Sequence, residues 1–286
     1  MTLLELIERS SARLQQAGVS FGHGTTNAFD EAVWLALWRL GLPLHDLDSV
    51  AAMELSAPQR QHIEALIDER IRSRKPAAYL TGEAWLQGVP FDVDERVIVP
   101  RSLIAEALAE GLIDAWLGAP PDRVLDLCTG NASLAVLAAL AWPDARIDAC
   151  DISADALAVA RRNVERHGLG ARIRLRLGDG LLAADGRYAL ILCNPPYVNL
   201  DAMGRLPAEY LAEPALALAG GDDGMDFIRP LLATAGRHVC ADGALVLEIG
   251  HERDHFEAAF PALQPLWLPT SAGDDQVLLI AAEQLA

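Results

Sequence analysis

Two consecutive prolines at the end of an apolar run constrain this chain more than any other feature it carries. Tyr188-Ala-Leu-Ile-Leu-Cys193 is short, apolar and bulky enough to form a buried strand, and Asn194-Pro-Pro-Tyr-Val198 follows it directly. Neither proline has an N–H to donate and each fixes φ, so a central strand cannot continue through them. The backbone must therefore leave the sheet at Asn194. A stiff turn at the carboxyl end of a parallel strand is where open α/β sheets bind ligands, and this one presents a primary amide and a phenol. A rigid exit loop with Asn194 as its turn initiator is the plainer reading of the same residues.

Upstream residues favour the ligand-binding reading. Arg123-Val-Leu-Asp-Leu127 has the composition of a strand and runs into Cys128-Thr-Gly-Asn-Ala-Ser133, after which Leu134 to Ala141 are apolar helix formers. Pro143-Asp144 breaks that helix, and Arg146-Ile-Asp-Ala-Cys150 is a second strand ending at Asp151. Asp151 lies 21 residues after Gly130, near the spacing at which an acid reaches the ribose hydroxyls of an adenine nucleoside. Strand, glycine turn, helix, strand and acid together make a nucleoside-binding half-site.

Asp126-Leu-Cys-Thr-Gly130, Asp151-Ile-Ser-Ala-Asp-Ala-Leu-Ala-Val-Ala160 and Asn194-Pro-Pro-Tyr-Val198 resemble the S-adenosylmethionine-dependent protein glutamine methyltransferases. The likeness is greatest to the branch that modifies ribosomal protein L-three. It extends to Phe21-Gly-His-Gly-Thr25, Ala78-Tyr-Leu-Thr81, Asp94-Glu-Arg-Val97, Val99-Pro-Arg-Ser102 and the stretch from Glu213-Pro214 to Gly224. The resemblance implies an α/β, class I methyltransferase (Rossmann-like) fold, with a mostly parallel sheet of seven strands whose last strand is antiparallel. It implies S-adenosyl-L-methionine as cofactor, held by Asp126, Thr129, Gly130, Asn131, Ala132, Asp151, Ile152, Asp179, Gly180 and Asn194, and catalysis by Asn194, Pro195, Pro196 and Tyr197. It also places Arg101 and Glu106 beside the cofactor pocket, although a simple helix start explains them equally. One residue departs from the family: Ala132 stands where a second loop glycine is common. If the loop needs positive φ there, alanine costs about 1 to 2 kcal/mol.

The expected organisation is a helical substrate-recognition domain over 1–82, a β-hairpin linker over 83–99 and a methyltransferase domain over 100–286. Apolar residues at helical spacing mark Leu3 to Leu14, Ala32 to Leu40 and Ile63 to Ile71. Arg70, Arg72, Arg74 and Lys75 close the last of these, as a solvated helix end or as a contact for ribosomal RNA. His23, between two glycines, reads as part of a structured turn rather than a base. Pro100-Arg101 begins a helix through Leu112, Ala154 to His167 is a helix stopped by Gly168, and Ile173-Arg-Leu-Arg-Leu177 alternates as a strand. Residues 201–224 lack periodicity and read as a loop folding over the site. Phe227 to Val239 and His251 to Phe260 are expected as helices, Ala244 to Ile249 as a strand, and Leu266–Leu268 and Val277–Ala281 as antiparallel neighbours.

Charge and cysteines narrow the partners. Of the 40 acids and 23 bases, residues 83–286 hold 30 and 15, which makes that portion strongly acidic. Such a field repels phosphate and favours a basic protein as substrate, which the resemblance implies is a ribosomal one, though acidity also serves solubility. Cys128, Cys150, Cys193 and Cys240 form no CxxC pair and read as reduced core residues. No stretch reaches the roughly 18 apolar residues of a membrane span and the amino end lacks the pattern of a secretory signal, so the expected compartment is cytoplasmic. His251-Glu-Arg-Asp-His255 matches the HExxH zinc pattern but lacks an obvious third ligand, and no metal is expected. The competing functions are release-factor glutamine methylation, methylation of a nucleic-acid adenine amino group, which the same turn can hold, and a catalytically impaired cofactor-binding protein. A Rossmann dehydrogenase is disfavoured because the loop lacks GxGxxG.

Overall fold

The computed structural model describes residues 1–285 and divides into two compact units: Met1–Ala84 with Leu206–Ala212, and Trp85–Arg205 with Glu213 onward. In the first unit the main helices are Leu3–Gln16, Ala28–Leu40 and Ala57–Ser73. Thr2 and Ser56 close capping boxes at two of the helix starts, Asn27 caps the third, and Gly41 ends the second helix in the left-handed region. Leu3, Leu6, Leu35, Leu37, Ile63 and Ile67 are fully buried and form the apolar interior.

Of the cluster expected to be solvated at the end of the third helix, Arg72 is exposed, but Arg70 and Arg74 are engaged by carboxylates. Arg70 is 0% exposed, and its guanidinium donates to Glu31 at 2.8 Å, Glu209 at 3.2 Å and the Ser20 carbonyl at 3.0 Å. Arg74 ends the helix with φ 58° and donates to both Glu209 oxygens, at 2.6 and 3.0 Å. Buried carboxylates, rather than solvent or RNA, therefore take up the charge of Arg70 and Arg74. Glu209 arrives from the segment expected to be a loop over the site. That stretch instead forms short helices at Leu200–Met203 and Ala208–Leu211, and Leu206–Ala212 belongs to the first unit. His23 is buried with its ring 4.3 Å from that of Tyr210, on a turn where a Cβ at Gly22 would meet the Tyr210 hydroxyl at 2.5 Å.

The hairpin is β1 (Glu83–Leu86) with β2 (Val89–Asp92); residues 93–99 continue without strand structure. The main sheet comprises β3 (Arg123–Leu127), β4 (Arg146–Asp151), β5 (Ile173–Leu177), β6 (Tyr188–Cys193), β7 (Val239–Glu248), β8 (Leu266–Thr270) and β9 (Gly273–Ala281). Its seven strands run β5-β4-β3-β6-β7-β9-β8, and only β9 runs opposite to the other six. The order reverses at β3/β6, the position where an open parallel sheet leaves a crevice at its carboxyl edge. Two apolar clusters cover the faces, one containing Val124, Ile147, Leu190 and Val246, the other Leu125, Ile191, Leu245 and Leu278. Among the described residues no helix is long and apolar enough to cross a membrane.

Three helices differ from expectation. Gly111 at φ 69° splits the helix after Pro100 into Ile104–Ala109 and Leu112–Leu117. The helix after Phe227 runs only from Ile228 to Ala235, and Val239 already pairs with Tyr188 as the start of β7. The last helix begins at Arg253, so His251 lies in the turn created by left-handed Gly250, off the helix that carries His255.

Candidate active site

A cleft of about 360 Å³ opens at the carboxyl ends of β3 to β6. The loop after β3 shapes its floor with three residues in left-handed conformation: Cys128 at φ 57°, Gly130 at 55° and Ala132 at 66°. Asp151, at the end of β4, locks this loop by accepting from the Gly130 N–H at 2.9 Å with one oxygen and from the Ser153 N–H at 2.9 Å with the other. The spacing read from the sequence thus corresponds to a direct bond between the glycine turn and the acid. Burial raises the Asp151 pKa against those backbone bonds.

Asp126 lies beneath the loop, 1% exposed. One of its oxygens accepts from the Thr129 hydroxyl at 2.5 Å and the Ala135 N–H at 3.0 Å; the other is buried without a partner among the described residues. Burial pushes this carboxyl up to about 7. A desolvated carboxylate with one vacant oxygen suits a cationic donor such as an amino group.

The residues singled out from sequence divide into two sets. Gly130, Asp151, Ile152, Asp179, Gly180, Asn194 and Pro196 line the cleft, and Ile152 is 53% exposed at its rim. Asp126, Thr129, Asn131 and Ala132 do not line the cleft; they are 1%, 6%, 3% and 0% exposed beneath it, and the last three hold the loop in shape. Pro195 is buried. Tyr197 stands behind the turn, its hydroxyl donating to Glu248 at 3.2 Å. Cβ atoms at Gly220, Gly224 and Gly250 would each approach Tyr197 within 2.7 Å. These glycines clamp the Asn194–Tyr197 turn by letting other backbone come close. Among the described residues the Asn194 side chain has no hydrogen-bond partner.

Several contributors escaped the sequence reading. Arg96 to Ile98 and Phe227 line the cleft without having been singled out for the site, and Pro214, Leu216 and Ala217 line it from within the segment read as a loop over the site. Pro214 follows Glu213, which is held by two hydrogen bonds from Arg101, at 2.6 and 2.7 Å, and one from the Val99 N–H at 2.9 Å. Arg101 therefore acts on the wall through Glu213. Glu106 lies elsewhere, accepting from the Ser271 N–H and hydroxyl, each at 2.7 Å. In the HExxH stretch both Glu252 oxygens are engaged, with the Asn199 amide at 2.7 Å and the His255 ring at 2.6 Å. No group of three candidate metal ligands occurs among the described residues.

With that geometry established, comparison with known proteins is informative. Residues 105–221 match the methyltransferase small domain, and residues 5–82 match the PrmC N-terminal domain. The ribosomal protein uL3 glutamine methyltransferase of Bordetella pertussis is 56% identical, over 99% of this chain and 96% of its own. The protein of the same name from Burkholderia pseudomallei is 49% identical, over 99% and 95%. The chain belongs to the ribosomal protein uL3 glutamine methyltransferase family. Among solved structures, a methyltransferase from Pyrococcus furiosus aligns at TM-score 0.50 and 18% identity, over 68% of this chain and 89% of its own. The hMettl16 catalytic domain aligns at TM-score 0.54 and 12% identity, over 79% and 82%, a likeness of fold alone.

The left-handed conformation of Ala132 has a measurable consequence. Its left-handed φ is costly for alanine and free of cost for glycine. Ala132→Gly is expected to stabilise the chain by up to about 1 kcal/mol, the strain relieved less the added entropy of the unfolded chain. A lower urea midpoint for the variant would show that the buried Ala132 methyl contributes more by packing than the backbone loses by strain.

Proposed function

We propose that this chain transfers a methyl group from S-adenosylmethionine to the side-chain amide nitrogen of a glutamine in ribosomal protein uL3, in the cytoplasm where that protein is made. The observation that carries this reading is the near full-length identity to uL3 glutamine methyltransferases, together with an unpaired primary amide at Asn194 facing the cleft.

Bound S-adenosylmethionine supplies an electrophilic sulfonium methyl. The vacant oxygen of Asp126 would take its amino group, Asp151 its ribose hydroxyls and Asp179 its adenine amino group, with Ile152 and Phe227 as apolar walls. A glutamine amide is a weak nucleophile because its nitrogen lone pair is delocalised into the carbonyl. The Asn194 side-chain oxygen and the Pro195 carbonyl would accept its two N–H groups, hold the nitrogen in line for attack and stabilise the positive charge that grows on it. Proline serves here as an acceptor without a competing N–H. The alkylated nitrogen then releases one proton to solvent, so no strong base is required beforehand. Incubation with isotopically labelled methyl donor and purified uL3, followed by peptide mass spectrometry, should place one label on a glutamine side chain. Label in nucleic acid, or none in uL3, would overturn the reading.

The assignment of Asp126 predicts proton linkage. The fold raises this pKa to about 7, so it favours the protonated acid; that contribution to stability is complete below the unfolded carboxyl range and is lost as pH rises through about 7. A cationic amino group favours the ionised form instead. Binding of S-adenosylmethionine at pH 6.5 should therefore release a proton and tighten as pH rises towards 8. Calorimetry in buffers of different ionisation enthalpy measures that proton, and Asp126→Asn should abolish it. Unchanged proton release in Asp126→Asn would place the titrating group elsewhere.

A further inference from the structure

A second concave surface lies at the opposite end of the same strands. Arg123 and Arg146 begin β3 and β4 and are paired in register; Arg174 pairs with Asp148, and Arg176 is two residues further along β5. These side chains share one sheet face and, with Arg172, line a groove of about 560 Å³ that contains five arginines and two carboxylates, Asp148 and Asp185. Five of the chain's 23 bases thus converge on one place in a protein of net charge −17.

The groove exists because the sheet is left partly bare. Parallel sheets ordinarily carry helices on both faces, and their strands are apolar throughout. Here β5 is followed by a four-residue 3-10 turn, Gly180–Ala183, before β6 begins at Tyr188. Ile173-Arg-Leu-Arg-Leu177 alternates accordingly, like a strand with one wet face. The carboxylates do not consume the positive charge. Asp148 accepts from Arg123 at 3.2 Å and Arg176 at 3.1 Å, and Asp185 accepts from Arg176 at 2.6 Å. Arg172 is oriented by the Ala139 and Trp142 carbonyls, at 2.8 and 3.2 Å, and keeps its charge. Arg174 is exposed and 3.8 Å from Asp185, while Arg146 is exposed with no partner among the described residues. Both can receive an anion.

We propose that this arginine-lined sheet face docks the phosphate backbone of RNA. Arginines borne on a backbone lattice of about 4.8 Å across strands and about 6.6 Å between same-face residues along them suit a repeating phosphodiester better than a single small anion. RNA as the occupant rests on the proposed acceptor, a ribosomal protein, whose own partner is RNA. The face's two exposed arginines, Arg146 and Arg174, precede the cleft-lining Asp151 and Gly178 by five and four residues, roughly 13 to 17 Å along a strand, so backbone contacts there leave the cleft open. At the end of the helix at Arg70–Lys75, by contrast, Arg70 and Arg74 are held by Glu31 and Glu209.

The test is fluorescence anisotropy of the full chain with a labelled RNA stem-loop across a salt series. Arg146→Glu/Arg174→Glu is compared with Arg39→Glu/Arg161→Glu, which makes the same change in net charge at exposed positions elsewhere. The groove variant should bind at least about tenfold more weakly at 50 mM salt, and its log–log salt slope should fall by roughly 1.5 to 2, as expected for two lost phosphate contacts. The control pair should keep the wild-type slope. Equal weakening in both pairs, no RNA binding by the wild type, or equally tight binding of polyglutamate or inorganic phosphate would overturn the proposal. Methylation of free uL3 is followed in parallel and should be the same in the groove variant. Methylation without RNA binding removes the docking face and leaves the proposed function standing; RNA binding without methylation does the reverse.

Discussion

Asn194→Ala is expected to lower turnover by roughly 10² to 10³ while changing the affinity for S-adenosylmethionine much less. Asn194 closes β6 and faces the cleft, and the prolines after it leave the backbone little freedom to move another acceptor into its place. Removing its oxygen leaves one amide hydrogen of the acceptor glutamine unpaired in a dry site, and the loss is largest where charge on nitrogen is greatest. The effect should therefore appear in kcat rather than KM. Asn194→Asp is informative beside it: the anionic oxygen still accepts, but the side chain loses its NH2, so activity retained by Asp and lost by Ala isolates the acceptor role. Full activity in Asn194→Ala would remove Asn194 from catalysis.

Arg70→Met is expected to cost about 3 to 5 kcal/mol of stability, the range for removing one partner of a buried ion pair. Arg74 still serves Glu209 in the variant, so the stranded group is Glu31, which is 1% exposed. Burial already raises the Glu31 pKa despite the adjacent Arg70 guanidinium. Without Arg70 it should rise further. For a carboxyl whose folded pKa is raised, stability is complete below the unfolded pKa and declines as pH rises through the folded value. The urea midpoint of Arg70→Met should therefore lie far below wild type at pH 8 and approach it near pH 5, and Glu31→Gln in the same background should restore part of the loss. A deficit under about 1 kcal/mol at pH 8 would mean that solvent reaches the pair.

Much of the catalytic unit was legible because its signals are local. The strands β3 to β6 appear as short apolar runs, the left-handed turn as Gly130 with its neighbours, and the break at Asn194 as two missing N–H donors. Each of these depends on residues within a few positions of one another. Asp151 could be placed because one helix of ordinary length separates it from the glycine turn, and the Gly130–Asp151 bond is the result.

Sequence alone therefore determined the sheet's elements in chain order, the place where the chain must leave the sheet, and the acid at the end of β4; that this acid bonds the glycine turn is a tertiary result. Tertiary structure decided what distant charges do. Arg70 reads as a solvated helix end until Glu31 and Glu209, 39 and 139 residues away, enclose it. Arg101 looks like a pocket wall until Glu213, 112 residues on, receives it and positions the wall in its place. Thr129 and Asn131 look like ligand contacts until burial turns them inward. The arginine face existed in sequence only as the alternation of β5, and became a surface because no long helix covers it. A charged side chain has no periodicity that reveals its partner; the partner is chosen by which residues folding leaves within a few ångströms, once desolvation makes an unpaired charge too costly to keep.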